Sequence, residues 1–548
     1  MSSLRAAGLG PIVGHTTSTS ARIWVRADPA FDDKSLDSEI RTIGVLAVIS
    51  EGGSRLSSKP CYYFRLRREF DRSGSLNLGA DPGTRALKPD TRYEIRVGTL
   101  LLDDPVDDQQ GATWEHLQSR LPPAKAWLRD LESLPAESSL AEFTTFAAEG
   151  GAPGRLDFLL GSCRYPGLMW KVRHADRIFA PMVEQAAKTE DSPPRFTLMV
   201  GDQIYADLLN RYVPIGRADT YDEFRERYLT AFGSRNIRNL MRSLPTYMIL
   251  DDHEIEDNWT QDRIRRNAQH QLFTIAIDAY LSYQWSHGPR TFGNRLYYSF
   301  DYGSYPFFVL DTRTQRYLEG EEGDLSDNHL LGRPTLPGSP PGQLKRLTDW
   351  LVRQQGERGN VPKFIVTSSV FAPNPMSARR DKSDKDKESS DSWPGFPNTR
   401  AAILRCIVDN GVQNVVFLAG DIHCSNVAEL SLAGSPGASA IKAYCVTSSA
   451  FYWPFPFADG EPSDFVHDSR AKGQEDSFDF ESGAGKPLTM DYRAWNFTQE
   501  DNFCRLSIDP GTATLRVRAF NKDGDLVIGE DDKGRRFELD ASLQLAAW

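Results

Sequence analysis

The first 150 residues alternate apolar and polar positions with a period of two. In SARIWVRAD, Ser20–Asp28, Ile23 and Val25 alternate with Arg22, Trp24 and Arg26. In LKPDTRYEIRVGTLLLD, a turn signal at Pro89-Asp90 precedes Tyr93, Ile95 and Val97 on one face. Short strands separated by turns predict a small all-β sandwich of the fibronectin or immunoglobulin kind. The Gly/Ala-rich joint AAEGGAPGR, Ala147–Arg155, marks its end. The expected organisation is a sandwich domain over 1–150 and a second domain over 151–548.

From residue 156 the pattern changes to short apolar runs followed by helical segments. LDFLLGSC precedes VRHADRIFAPMVEQAAK, RFTLMVGD precedes YDEFRERYLTAF, and TYMILDDHE precedes NAQHQLFTIAIDAYLSYQW. YPFFVLDTR, KFIVTSSVF and NVVFLAGDIHCS continue the series. Continuous β-branched and aromatic runs predict strands buried on both faces, and the alternation with helices predicts an α/β fold. The tail FCRLSIDPGTATLRVRAF reads as a hairpin about Pro510-Gly511 added to a sheet edge. Met376–Gly395 is charged and low in complexity, and reads as a solvated loop. Residues 454–495 read as a second loop, and both loops are expected to shape a site entrance.

The strands end in chemistry. FLLGS ends at Cys163, LMVG at Asp202, and YMIL at Asp251-Asp252-His253-Glu254. FFVL ends at Asp311-Thr312-Arg313, and VVFLAG at Asp421-Ile422-His423. In open α/β sheets the carboxyl ends of strands line the site crevice. A single Asp after a strand is as readily a helix cap, and Asp207 can be read that way. Several carboxylates on one rim repel one another and raise each other's pKa values, a penalty that cations remove. Thiolate, phenolate and imidazole suit a transition metal, with phenolate favouring ferric iron, whereas carboxylates suit calcium, magnesium or manganese. Cys163, Tyr205 and His423 fall in the first class, Asp252 and Asp421 in the second, and Asp202 can bridge. Paired ions would clamp an anion and activate a water.

Charge and composition narrow the partners. The formal net charge of −11 and pI near 5.5 disfavour nucleic acid and anionic membranes as partners. No run is long enough to span a bilayer. Six cysteines without a C-x-x-C pair form no disulfide framework. The opening MSSLRAAGLGPIVGHTTSTS shows neither a charged segment with an apolar h-region nor a twin arginine. A cytoplasmic location is expected from this, or an exported or periplasmic one if a leader has been removed.

The blocks GSC, GDQIYAD, LDDHEIEDNW and LAGDIHCSNVAEL, in this order, resemble the alkaline phosphatase D (PhoD-like) branch of the calcineurin-like metallophosphoesterases. LDTRTQRY, DSWPGFPNTR and the opening GLGPIVGHTTSTSARIWVRAD are similar to further blocks of that branch, and GDQIYAD also resembles a motif of purple acid phosphatases. The resemblance implies a four-layer α/β/β/α metallophosphoesterase domain behind the N-terminal sandwich. It implies ferric iron held by Cys163, Asp202, Tyr205 and His423. Asp202, Asp252 and Asp421 would hold one or two calcium ions or another divalent metal. It implies hydrolysis of phosphate esters, in which a metal-activated hydroxide attacks phosphorus and His253 assists the leaving group. Relative to the wider superfamily, Ser162-Cys163-Arg164 replaces D-x-H, Asp252 replaces the Asn of G-N-H, and Asp421 replaces the first His of G-H-x-H. These changes favour thiolate-bound iron beside harder cations over zinc.

Arg313 is equally readable as a phosphate-binding fork or as the partner of a neighbouring acid, and Arg164 is similar. Asn258 can reach a cation or make a helix-side hydrogen bond. The substrates expected are small phosphate esters or phospholipids, monoester or diester. A phosphodiesterase or phospholipase D-like enzyme on lipid or nucleotide diesters is one alternative. A non-catalytic binding protein with a relic metal site is another.

Overall fold

The structure is a computed structural model. It describes residues 3–28, 40–103, 114–167, 172–187, 192–208, 216–291, 295–320, 324–376, 391–455, 460–530 and 535–548. It is a mixed helix and sheet protein. Among the described residues no helix is long and apolar enough to cross a membrane.

In the N-terminal part, Leu9–Thr16, Ala21–Arg26 and Ser73–Leu78 form a three-stranded antiparallel sheet. A six-stranded sheet is built on the long pair Ile40–Glu51 and Arg92–Asp103. The two sheets share a core: Ile23 and Val25 from one meet Leu46, Val48, Tyr93, Ile95 and Val97 from the other. The alternating residues therefore point where their period of two directs them.

The opposite face of the small sheet is covered as well. Trp24 joins Leu9 and Ile12 in a core with Phe224, Tyr228, Tyr280 and Tyr283. Its indole donates to Ser282 O at 3.2 Å, and Arg22 donates to Gly288 O at 2.8 Å. Arg26 pairs with Asp71 at 2.6 Å, and the Tyr283 hydroxyl donates to the same carboxylate. Burial lowers Arg22 to about 10. The small sheet is thus a spacer, apolar inward and bonded through its polar side chains to the helix Asn267–Tyr283 and the residues after it.

Beyond residue 155, two sheets face each other. The first runs in the order Thr246–Ile249, Thr197–Val200, Leu156–Gly161, Asn502–Asp509, Thr514–Asn521, Asp540–Gln544. Its first three strands are parallel, and the C-terminal hairpin pairs antiparallel with Leu156–Gly161. The second has eight strands, with Tyr305–Val309, Lys363–Val366, Val415–Ala419 and Ala443–Thr447 parallel at its centre.

Phe158, Leu198 and Leu506 of the first sheet pack with Phe307, Phe364 and Val416 of the second. The intervening residues Leu159, Met199 and Met248 turn outward onto Phe179, Met182, Phe224 and Leu240. On the second sheet, Phe308, Ile365 and Phe417 turn outward onto Leu347, Trp350, Ile403 and Leu404. The central strands are apolar on both faces because both faces are covered there.

The expectation of a loop over 454–495 is corrected here. Pro487–Thr498 is a strand paired with Ser425–Ala433, and Phe478–Glu481 pairs with it in turn. Its alternation of Leu488, Met490, Tyr492 and Ala494, all buried, is the ordinary strand signal. Residues 456–459 and 377–390 lie outside the described residues. The end of the charged segment that is described is not a solvated loop: Trp393 is buried, and Asp391 is bound by two arginines.

Candidate metal centre

The sharp turns after the strands bring the polar residues to one rim. Cys163 N donates to Gly201 O at 3.2 Å, and Arg164 N donates to Asp202 O at 2.9 Å. Gly420 fits where the two sheets converge, since a Cβ there would lie 2.3 Å from Ser162 Oγ. Gly201 adopts φ +102°, and a Cβ there would meet Asp251 Cβ at 2.5 Å. That position requires glycine on both grounds. Cys163, Asp202, Asn258, Asp421 and His423 all have φ between 49° and 73°. Left-handed backbone at five non-glycine residues of one rim is strain concentrated at a functional site.

Three ligand groups form a chain. Cys163, Asp202 and His423 make the first, Asp202, Asp252 and His253 the second, and Asp251, Asp252 and Asp421 the third; in each, the donor atoms lie within 4.8 Å of one another. The Tyr205 hydroxyl lies 3.3 Å from Asp202 Oδ2 and 3.3 Å from His423 Nε2, which adds it to the first group. The Cys163 sulfur lies 3.2 Å from both the Ser162 and Ser449 hydroxyls. The structure thus brings together Cys163, Asp202, Tyr205, Asp252, His253, Asp421 and His423. Asp251, not singled out from the sequence as a ligand, joins them.

The site is short of positive charge. Asp202 Oδ1, Asp251 Oδ2 and Asp252 Oδ1 are buried without a hydrogen-bond donor. Burial, then the neighbouring carboxylates, push Asp202 and Asp421 well above the usual carboxylate range. Burial and the Asp202 charge push the Cys163 thiol up. Orphaned, mutually repelling acid oxygens beside a thiol, a phenol and an imidazole fit metal ions, which would reverse each of these shifts.

His253 is held by Asp207. Its Nδ1 lies 2.8 Å from Asp207 Oδ1, and Asp207 Oδ2 also accepts the Asp257 amide at 2.7 Å. The imidazole stacks on Tyr205 with ring centroids 4.2 Å apart. Burial alone would lower His253, but Asp207, Asp252 and Asp202 outweigh it and hold it well above its ordinary value. Burial likewise pushes Asp207 up, and His253 and the Asp257 amide more than offset it. Asp207 is therefore outside the ligand groups, with its carboxylate on Nδ1 of the imidazole.

Glu254, at the same strand end, is a further buried acid with a role not assigned from the sequence. It accepts the backbone amides of Asp202 at 3.1 Å, Gln203 at 2.7 Å and Asp251 at 2.9 Å, and the Gln284 amide at 3.0 Å. One carboxylate ties together two of the turns that carry ligands. The signal for it was the Asp251-x-x-Glu254 capping-box spacing.

The arginines need correction. Arg164 is directed away from the rim: it donates to Ala231 O and to Ala175 O, and lies over the Phe179 ring. Arg313 has no exposed side-chain surface, and all its guanidinium contacts are carboxylates, so it is not placed as a phosphate fork. It pairs with Asp251 and Asp391, and lies 3.3 Å from Asp252 and 3.4 Å from Asp421. Arg316 grips Asp391 beside it. The Asn258 amide nitrogen, oriented as its neighbours require, donates to both Asp391 oxygens at 3.0 and 3.1 Å, and its backbone N–H donates to Asp252. Trp453 stacks on His423 with ring centroids 3.7 Å apart, and Tyr165 lies edge-on to it, so these aromatic rings wall the site.

Comparison with known proteins agrees with this geometry. The sequence pattern described as PhoD-like phosphatase matches residues 170–453, more than half of the chain, and covers Asp202, Tyr205, Asp252, His253, Asp421 and His423 but not Cys163. The chain is 25% identical over 246 residues to alkaline phosphatase D of Bacillus subtilis (strain 168), an alignment covering 41% of this chain and 40% of that protein. The chain thus spans well under half the length of that relative. A solved structure described as the structure of PhoD superposes with a TM-score of 0.59 at 16% identity, over 94% of this chain and 86% of that one, which shows the fold. The chain belongs to the PhoD-like phosphatase family.

Proposed function

We propose that the chain is a metal-dependent hydrolase of phosphate esters. The observation that carries this reading is the chain of ligand groups linked through Asp202 and Asp252, with orphaned buried oxygens along it. Cys163, Tyr205, His423 and Asp202 suit ferric iron by donor type, and Asp202, Asp252 and Asp421 suit calcium or another divalent ion. When bound, such ions supply Lewis acidity, neutralising phosphoryl oxygens and lowering the pKa of a water nucleophile.

The chain's own residues do the rest. Asp207 on Nδ1 leaves the Nε2 proton of His253 to be given to the departing ester oxygen, and holds the imidazolium that carries it. Glu254 keeps the Asp202 and Asp251 turns in register. Trp453 and Tyr165 exclude water from the His423 side. Small-molecule phosphate esters, mono- or diester, are the expected substrates. In the same reading, residues 1–150 form a β-sandwich domain. Residues 151–548 form a four-layer α/β/β/α catalytic domain, with two sheets between two helical flanks.

The experiment is a panel of phosphomonoesters and phosphodiesters, run on purified protein before and after chelation. Chelator-sensitive hydrolysis of at least one ester is expected. A metal-loaded protein inert on every ester would instead favour a binding protein with a relic site.

A further inference from the structure

Among the described residues, Arg313 is the one arginine that touches every carboxylate of the third ligand group. We infer that its guanidinium takes the place of a metal ion among Asp251, Asp252, Asp391 and Asp421, so that the rim binds ions only in the two groups built on Asp202. The inference rests on the metal reading above and reduces the hard-cation complement to a single ion.

The geometry supports it in three ways. The side chain is fully buried, and Nε, Nη1 and Nη2 are each directed at an acid: Nε at Asp251, Nη1 at Asp391, and Nη2 at Asp252 and Asp421. Every guanidinium nitrogen has a carboxylate partner, and none is exposed to a substrate phosphate. A guanidinium is planar, permanently charged and weakly hydrated, so it can sit inside a ring of carboxylates where a lysine would be one point charge. A divalent ion added to Asp251, Asp252 and Asp421 would stand against this fixed positive charge in a site of low dielectric, where repulsion is poorly screened.

The contrast with the neighbouring groups is direct. Asp202 makes no contact with Arg313, and its Oδ1 has no donor at all. The first group has no guanidinium beside it and the second meets Arg313 only through Asp252, whereas the third is faced by it at all three carboxylates, with Asp251 Oδ2 its acceptor left beyond reach of the guanidinium. Asp391 completes the arrangement. It is anchored from outside the third group by Arg316 and Asn258, and so presents the guanidinium with a carboxylate that the ligand groups do not use.

The test is the metal content and thermal unfolding of wild type, Arg313→Gln and Arg313→Lys, each equilibrated with calcium and then with chelator. Arg313→Gln is expected to take up one further calcium ion per chain. Its melting temperature should fall below that of wild type in chelator and recover as calcium is added. Arg313→Lys, which keeps the charge, should retain the wild-type complement. A wild type carrying two calcium ions per chain beside its iron overturns the inference. So does an Arg313→Gln protein that gains no calcium, whether folded or unfolded at every calcium concentration. A wild type that binds no ion at Asp202 overturns the metal reading itself, and this inference with it.

Discussion

Two buried arginines show the difference between a structural ion cluster and a reactive one. Arg505 donates to Asp157 at 2.9 and 3.0 Å, to Gln185 at 2.8 Å and to Ser192 O at 2.7 Å. Asp157 is completed by Ser507 and by Arg155 at 3.2 Å. No atom of either side chain is left without a partner. Arg313 is equally buried, yet it faces four carboxylates, and orphaned oxygens remain on Asp202, Asp251 and Asp252. The first cluster is complete as folded. The second leaves unpaired acceptors beside its guanidinium and on the neighbouring Asp202, and it is the one set on strained left-handed backbone. Burial and charge alone do not mark a site; unbalanced acceptors at the carboxyl ends of strands do.

Substitutions can break this contrast. Among variants that keep their metals, the largest effect is expected at His253. His253→Asn should lower kcat about 10²- to 10⁴-fold with metal content retained, as removal of a general acid does. Asp207→Asn should lower it by about 10- to 100-fold, through loss of the imidazole's orientation. Unchanged kcat on a slow-leaving alkyl ester would remove His253 from the mechanism.

Next comes Arg505→Ala, which strands Asp157 in the interior and should cost about 3–5 kcal/mol of stability. That loss should be the same with calcium or with chelator, as denaturant unfolding would show. A calcium-dependent loss would mean that the two clusters are not of different kinds.

The smallest effect belongs to the histidines at the N-terminal sheet. His15, within 3.2 Å of the Tyr247 hydroxyl, is lowered to about 4 by burial and then by Arg22, and His287 is lowered to about 3 by the same causes. Both are neutral in the folded chain, whereas unfolded histidine gains a proton below about 6.5. Stability is therefore full above about pH 6.5 and falls as pH drops towards 4, by up to about 1.4 kcal/mol per pH unit for each group. His15→Gln should flatten the slope of melting temperature against pH in that window. An unaltered slope would remove His15 from the account.

Much of this was legible in the sequence, because strand ends and ligand types are local properties. Cys163, Asp202, Tyr205, Asp252, His253, Asp421 and His423 were named from apolar runs and donor chemistry, and they meet at one rim. What was not legible depends on three-dimensional neighbours. Arg313 and Arg164 follow strand ends in the same way, and only packing shows that one turns into the acids and the other away. Asp391 sits in a run of charge that composition reads as solvated, and it becomes structural through Arg313 and Arg316. The strand Pro487–Thr498 was available by its alternation, but its polar intervening residues and the aromatic, glycine-rich stretch before it obscured it.

The most direct test of the central claim is the metal content and phosphoesterase activity of Asp202→Asn beside wild type. Asp202 belongs to both the Cys163–His423 and the Asp252–His253 groups, so the substitution should deplete iron and the hard cation together and abolish hydrolysis, with the circular dichroism spectrum unchanged. A folded Asp202→Asn protein that keeps its metals and its activity would contradict the account.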